Sequence, residues 1–453
     1  MVLWMVGCGE VKDDLPPIES CTPNEFVRCN ENVAQVCNAA GDGAVDTDCG
    51  APGCNEGAAR CNTCVPDAAR CSPGGGDVER CDSDGMPAAP ETCPLGCTEA
   101  PSPHCAYLQP TYAALADVCD EPAAMPALDV TTTQMLDTSS DLTCTGGVIN
   151  QTGGPAICVL RFGTITVQAA RTLKFIGTRA VALVADSAIT VDGTIDASAD
   201  GSTNGPGGGT ATSGGGSSTA VGGGGAGFRT AGGAGGSDTA NGGAANGGAA
   251  STNPAELVAF VGGPRPTIPI TLGAAPGGGG GAVALIACRG TVTISATGVI
   301  DAGGGGGGGG RDLVAGPQIS VTSAGGGGAG GNIVLQGLGV RVTGSLYANG
   351  GAGGGGTSSN DPLVGAAGQD GLRSTSPAQG GAPSGSGGAG GAGGVTGTMP
   401  RDGLMPPVTA GTPGGGGGSA GFIQTYTPAG APPMLMPAAV SPPLGTNRTA
   451  QTR

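Results

Sequence analysis

The chain has 453 residues, with 97 glycines and 35 prolines against six phenylalanines, four tyrosines and one tryptophan, too few large side chains to fill one broad globular core. Acidic residues number 34 and basic residues 18, and Lys12 and Lys174 are the only lysines. The resulting net charge of -16 excludes the basic footprint of a nucleic-acid binder, or of a protein held to anionic lipid by charge.

At the N-terminus, MVLWMVGCGEV reads as the end of a lipoprotein signal peptide. An apolar stretch leads to Met5-Val6-Gly7-Cys8, where a small residue precedes a cysteine that would be diacylated. Residues 1–8 are assigned to this signal, and the short apolar stretch implies a natural start further upstream. Residues 9–20 read as a linker.

The other 16 of the 17 cysteines point to an oxidising compartment. Residues 21–105 hold two similar blocks. The first contains Cys21, Cys29, Cys37, Cys49, Cys54 and Cys61; the second contains Cys64, Cys71, Cys81, Cys93, Cys97 and Cys105. In both, an arginine (Arg28, Arg70) precedes the second cysteine, and 11 residues separate the third from the fourth. Each block has almost no large apolar side chains, so it depends on disulfides, whose connectivity stays open. Zinc is set aside because Cys61-Asn62-Thr63-Cys64 straddles the two blocks and no second such pair follows. The only histidine, His104, reads as a solvated neighbour of Cys105, which removes histidine-based nucleophilic catalysis. No cofactor is expected.

Residues 106–150 read as a lead-in or linker with one short candidate helix at TYAALADVCD. Cys144 and Cys158 bracket a Gly-rich, hairpin-like segment and are expected to pair. Cys119 and Cys288 form either a long-range clamp or two buried thiols.

Residues 151–430 write one pattern repeatedly: AVALVADSAITVDGTIDASADG from Ala180, AVALIACRGTVTISATGVIDAGGGG from Ala282 and GGNIVLQGLGVRVTGSLYANGG from Gly330. Period-two strands recurring at this interval predict an all-β parallel β-helix or solenoid, whose repeats bury their apolar faces only against each other. The return of ITV from Ile165 to Ile189 sets a step of 24 residues. The predicted inward positions are Ile165, Val167, Leu173, Phe175, Ile189, Val191, Ile195, Val292, Ile294, Ile300, Val340, Val342 and Leu346, with the register of the ALVA/ALIA strand open by one residue. Three Gly-rich inserts (201–281, 303–331, 350–418) leave after the same strand, so they are expected on one face. Partial order of a polyglycine type, with three residues per turn, is expected at their flanks. Residues 431–453 read as a Pro-rich disordered tail.

A lipobox, Cys-rich tandem blocks and a solenoid broken by GGGGG tracts together resemble the glycine-rich cell-envelope lipoproteins of myxobacteria and related predatory bacteria. The solenoid alone is similar, more weakly, to filamentous adhesins. The resemblance implies a cell-envelope location, at the outer membrane or cell surface, and little chemistry. The expected function is therefore a lipid-anchored structural or adhesive protein without catalysis, with membrane contact through the lipid and a surface polysaccharide or another envelope protein as partner. The alternative is a polysaccharide-binding or polysaccharide-cleaving β-helix, since Asp196 aligns with Asp301 and Asp192 lies nearby. Against it, Tyr347 takes that place in the third copy, and solvated turn aspartates are the plainer reading.

Overall fold

The computed structural model describes residues 18–100, 102–120, 126–209, 221–237, 244–250, 259–267, 274–315, 318–358, 364–408 and 410–453. Cys8 and the expected signal lie outside them. The chain divides into two compact units, Met1–Ala106 and Tyr107–Arg453.

In the first unit, Phe26–Asn30, Val33–Cys37 and Ala44–Asp48 form an antiparallel sheet, and Ala69–Cys71, Asp77–Arg80 and Glu91–Thr92 form its counterpart in the second block. The disulfides follow one scheme twice. Cys21–Cys37, Cys29–Cys54 and Cys49–Cys61 join first to third, second to fifth and fourth to sixth cysteines. Cys64–Cys81, Cys71–Cys97 and Cys93–Cys105 repeat it. Val78 packs against Cys93 and Cys105, so cystine sulfur supplies much of the interior that larger residues would fill elsewhere.

The second unit is all-β, built on three sheets whose strands run parallel except for one hairpin pair. One sheet contains Leu128–Val130, Ile165–Val167, Ile189–Val191, Thr291–Ile294, Gly339–Val342 and Met434–Leu435. The next contains Gln134–Asp137, Thr172–Ile176, Thr194–Asp196, Val299–Asp301, Ser345–Tyr347 and Ala439–Ser441. The third is seven-stranded and carries Ile157–Phe162, Ala180–Ala185, Ala282–Ala287, Asn332–Gln336 and Phe422–Thr427 at its centre. From Ile157 onward the chain visits the three sheets in rotation.

The 24-residue step is a strand pair, Ile165 opposite Ile189. Val130, Val167, Val191, Ile294, Val342 and Leu435 stand in one continuous column. All the predicted inward residues join one apolar cluster fed by all three sheets. The open register resolves with Val181 and Leu183 facing this cluster, beside Val283 and Leu285.

The opposite face of the seven-stranded sheet is buried too. Residues 107–120 lie across it as a strap: Tyr112 and Asn332 side chains hydrogen-bond at 3.2 Å, and the Gln336 amide donates to the Gln109 carbonyl at 2.8 Å. Cys119–Cys288 fastens the strap, and Cys144–Cys158 forms as expected. The candidate helix is only a 3-10 turn, Ala113–Leu115, closed by hydrogen bonds three residues apart from Leu115 to Tyr112 and Ala116 to Ala113, with no side-chain cap at Tyr112.

Two boundaries change. Strands Leu128–Val130 and Gln134–Asp137 already belong to the parallel sheets, so the array begins inside the expected 106–150 linker. Residues 431–453 are no disordered tail, since they add Met434–Leu435, Ala439–Ser441 and Arg448–Thr449 to the three sheets, and Gln451–Thr452 pairs with Leu108–Gln109. Their prolines fall between strands of two or three residues, where a missing N–H breaks no ladder.

The glycine inserts bond to one another. A relay of backbone hydrogen bonds of 2.7–2.9 Å runs from Gly278 to Gly201, Gly305 to Gly278, Gly328 to Gly305, Gly351 to Gly328 and Gly418 to Gly351, crossing all three inserts. Within residues 303–310 the partners rotate with period three. Gly304, Gly307 and Gly310 donate to Asn349, Ala352 and Gly355, while Gly305 and Gly308 donate to Gly278 and Ala275. A three-residue turn presents successive amides to different neighbours, as in the polyproline II geometry, and the lack of Cβ allows the close approach. Order extends beyond the insert flanks, since Gly365, Gly368 and Gly371, well inside the third insert, donate to Gly310, Gly307 and Gly304. Neighbours on several sides satisfy these backbone groups, which repays the entropy of ordering glycine.

Candidate functional site

Asp196 and Asp301 end consecutive strands of one sheet and stand directly opposite each other, with Tyr347 next in the column. They are placed there by the inward Ile195 and Ile300, which fix the pleat and turn the following residue outward. Asp192 is not brought to them; it sits in the preceding turn, half-buried, where its carbonyl accepts a hydrogen bond from the Thr297 hydroxyl at 2.7 Å.

The column is not open to solvent. Asp196 is 7% and Asp301 3% exposed. Arg373, from the third glycine insert, reaches over both, with Nη2 3.0 Å from Asp196 Oδ2 and Nε 2.7 Å from Asp301 Oδ2. The remaining oxygens are used as well. Ser198 donates its N–H (3.0 Å) and hydroxyl (2.6 Å) to Asp196 Oδ1, and the Gly303 N–H donates to Asp301 Oδ1 at 2.9 Å. All four carboxylate oxygens are therefore occupied. Nearby, Asp370 Oδ1 accepts from the N–H groups of Gly201 (3.1 Å) and Gly306 (2.7 Å), so an acidic residue of the same insert as Arg373 ties the first two inserts together.

Burial pushes the Asp301 carboxyl up to about 6, with the Arg373 hydrogen bond and charge pulling against it and Asp196 adding repulsion. A raised carboxyl is a signature shared by catalytic acids and buried structural ones. Here a single guanidinium serves two carboxylates, so one negative charge of the trio is in excess. The folded state holds the Asp301 proton more tightly than the unfolded chain does. Its contribution to stability is therefore fully present below the unfolded value of 3.8 and lost as pH rises through about 6. Between pH 4 and 7.5 this costs on the order of 2 kcal/mol. Chemical denaturation of the unaltered chain and of Asp301→Asn should show a stability difference that changes with pH by this amount; parallel profiles would refute it.

Arg373 was not legible as a partner, because it lies 72 residues beyond Asp301 in a Gly-rich insert. Lys174 pairs in register with Asp196, on the strand before. The 12 cysteines of residues 21–105 are paired as described above, as are Cys119, Cys288, Cys144 and Cys158. His104 lies in a two-residue strand beside Cys105, with Nδ1 donating to the Ser102 carbonyl at 2.6 Å. Among the described residues, no group of three His, Cys, Asp or Glu side chains is placed to hold a metal ion.

No protein-family model, curated protein or solved structure matches the chain.

Proposed function

We propose that this chain is a lipid-anchored, non-catalytic protein of the cell surface or outer membrane, in which Cys8 carries the lipid, residues 21–105 form a disulfide-stiffened stalk and the second unit is a structural or adhesive head. In this reading the three parallel sheets are the faces of a β-helix and the glycine inserts form a layer along one side of it. The single observation that carries the non-catalytic reading is the Arg373 clamp. The two aligned carboxylates, the best candidates for cleaving a polysaccharide, are buried and have every oxygen bonded within the chain, an arrangement that favours a structural tie over one poised for a leaving group or a water. Eight disulfides support an oxidising compartment.

Expression in a bacterial host with labelled palmitate should label the protein at Cys8 and place it in the membrane fraction. Globomycin should block its processing, and Cys8→Ser should release it. Label-free protein recovered from the cytosol with free thiols would overturn the reading.

A further inference from the structure

Phe422–Thr427, in the seven-stranded sheet, borders a groove of about 560 Å³ lined by Arg229, Thr230, Phe422, Gln424, Thr446 and Arg448 among others. A second hollow of about 280 Å³ shares Arg229 and Thr230 and adds Pro442 and Pro443, so the two form one extended cleft. Its floor is firm: Phe422 is braced edge-on by Phe228, with ring centroids 4.8 Å apart. Arg448 hydrogen-bonds the Tyr426 hydroxyl, which in turn donates to Gln424 Oε1 at 2.8 Å. The Tyr112 hydroxyl reaches the same oxygen at 3.4 Å, tying the wall of the groove to the strap.

The charge of this cleft runs against that of the chain. In a protein of net charge -16, Arg229 lines both hollows and Arg448 the first, with no Asp or Glu among the described residues that line them. Elsewhere, partly buried guanidiniums hold carboxylates: Arg161 pairs with Asp186 at 2.8 Å, and Arg373 with Asp196 and Asp301. Arg229 is half-buried, and its described hydrogen bond runs from Nη1 to the Pro443 carbonyl at 2.8 Å, with no ion pair among the described residues. Burial lowers its pKa. A desolvated guanidinium of this kind favours a planar anion that takes two parallel hydrogen bonds.

A peptide adding itself as a strand is disfavoured, because the outer edge of Phe422–Thr427 is already occupied. The Gly445 N–H donates to the Ile423 carbonyl at 2.8 Å, and Arg448–Thr449 pairs with Tyr426 and Thr427. What the cleft offers is an apolar floor, two hydroxyls and two forked cations, the complement of an acidic sugar ring.

We propose that this cleft binds an acidic polysaccharide, with successive uronate carboxylates held by Arg229 and by Arg448, a sugar ring lying over Phe422 and Pro443, and ring hydroxyls meeting Thr230 and Thr446. The proposal gives the adhesive reading above its ligand class and rests on that reading. Isothermal titration of the full chain with tetragalacturonate should show binding that falls at least ~10-fold with the methyl-esterified tetramer. Arg229→Gln and Arg448→Gln should each weaken binding by about 10-fold, with Arg229→Lys recovering only part because it lacks the fork. Unchanged thermal transitions would establish that the variants fold; if they do not fold, the acid-to-ester comparison on the unaltered chain decides alone. Equal binding of acid and ester, unchanged binding in both folded glutamine variants, equally tight binding of tetraglutamate, or no binding at millimolar tetragalacturonate would each overturn it. Labelling of Cys8 is read independently, so failure here is distinguishable from failure of the anchored-protein reading.

Discussion

Alanine at Gly305 or Gly309 is expected to destabilise the Tyr107–Arg453 unit by about 3 kcal/mol each, through overpacking and lost backbone hydrogen bonds. A Cβ at Gly305 would collide with the Gly201 carbonyl, and one at Gly309 with the Gly365 carbonyl. Both obstacles are backbone, which cannot rotate away as a side chain does. Gly308 is the internal control, because a Cβ there first meets the Ala275 carbonyl at 3.1 Å, a gap that a small shift relieves. Thermal or urea unfolding of Gly305→Ala, Gly309→Ala and Gly308→Ala reads the contrast. If the tracts were unstructured spacers, all three changes would be neutral or stabilising by roughly 0.4–1 kcal/mol, because alanine restricts the unfolded chain. That outcome, joined to fast amide exchange across residues 303–310, would remove the layer.

Reduction is the second large effect. Each block of residues 21–105 has three bridges, and bridges of this kind typically contribute about 2–4 kcal/mol each, comparable to the whole stability of a small domain. With so little apolar burial to fall back on, this unit should unfold in dithiothreitol. The second unit should keep its parallel sheets, since its apolar cluster is aliphatic apart from Phe175 and the Cys144–Cys158 pair. It should nevertheless weaken: Cys119–Cys288 spans 169 positions, and opening a loop of that size releases about 5 kcal/mol of chain entropy in the simplest treatment. Circular dichroism with limited proteolysis checks both halves of the statement. Cleavage should appear within residues 21–105 while peptides from 157–196 stay protected; loss of the β signal would show that the bridges, and not the columns, hold the second unit.

The parts of the fold legible in the sequence are those written more than once. Ile165 and Ile189 announced a strand pair because the same tripeptide returns, and Asp196 and Asp301 announced a column because IDA returns. The cysteine blocks were visible as a repeat, yet their pairing needed coordinates, since spacing does not select among fifteen pairings. What escaped was written once. Arg373 has no counterpart in the other inserts, and the strap at residues 107–120 spaces its buried Leu108, Tyr112, Leu115 and Cys119 as a helix would, so the sequence pointed to a helix where only one 3-10 turn forms. The strands after residue 431 are two or three residues long, below the length at which alternation can be seen, and the prolines between them pointed the wrong way. The Arg229 and Arg448 cleft joins residues 219 positions apart, so only the sign of their charge against an acidic background hinted at it.

The period-three rotation of partners among the glycine tracts bears on how such a protein can vary. In a pleated strand, one inserted residue turns every later side chain to the other face. In a tract of three residues per turn, a change of one or two residues rotates every later amide away from its neighbour, whereas a change of three returns each to the same neighbour one step along. The layer thus has a natural unit of length, and whole triplets are the increments by which its tracts can grow or shrink while the lattice around them keeps its registration. Composition follows the same logic: residues 303–310, bonded to tracts on several sides, are glycine throughout, while Gly365, Gly368 and Gly371 recur every third position, with Ala366, Ala367 and Gln369 exposed between them. Depth within the layer is therefore spelled in the spacing of glycine, and the outer tracts are where new side chains can be displayed without disturbing what lies beneath.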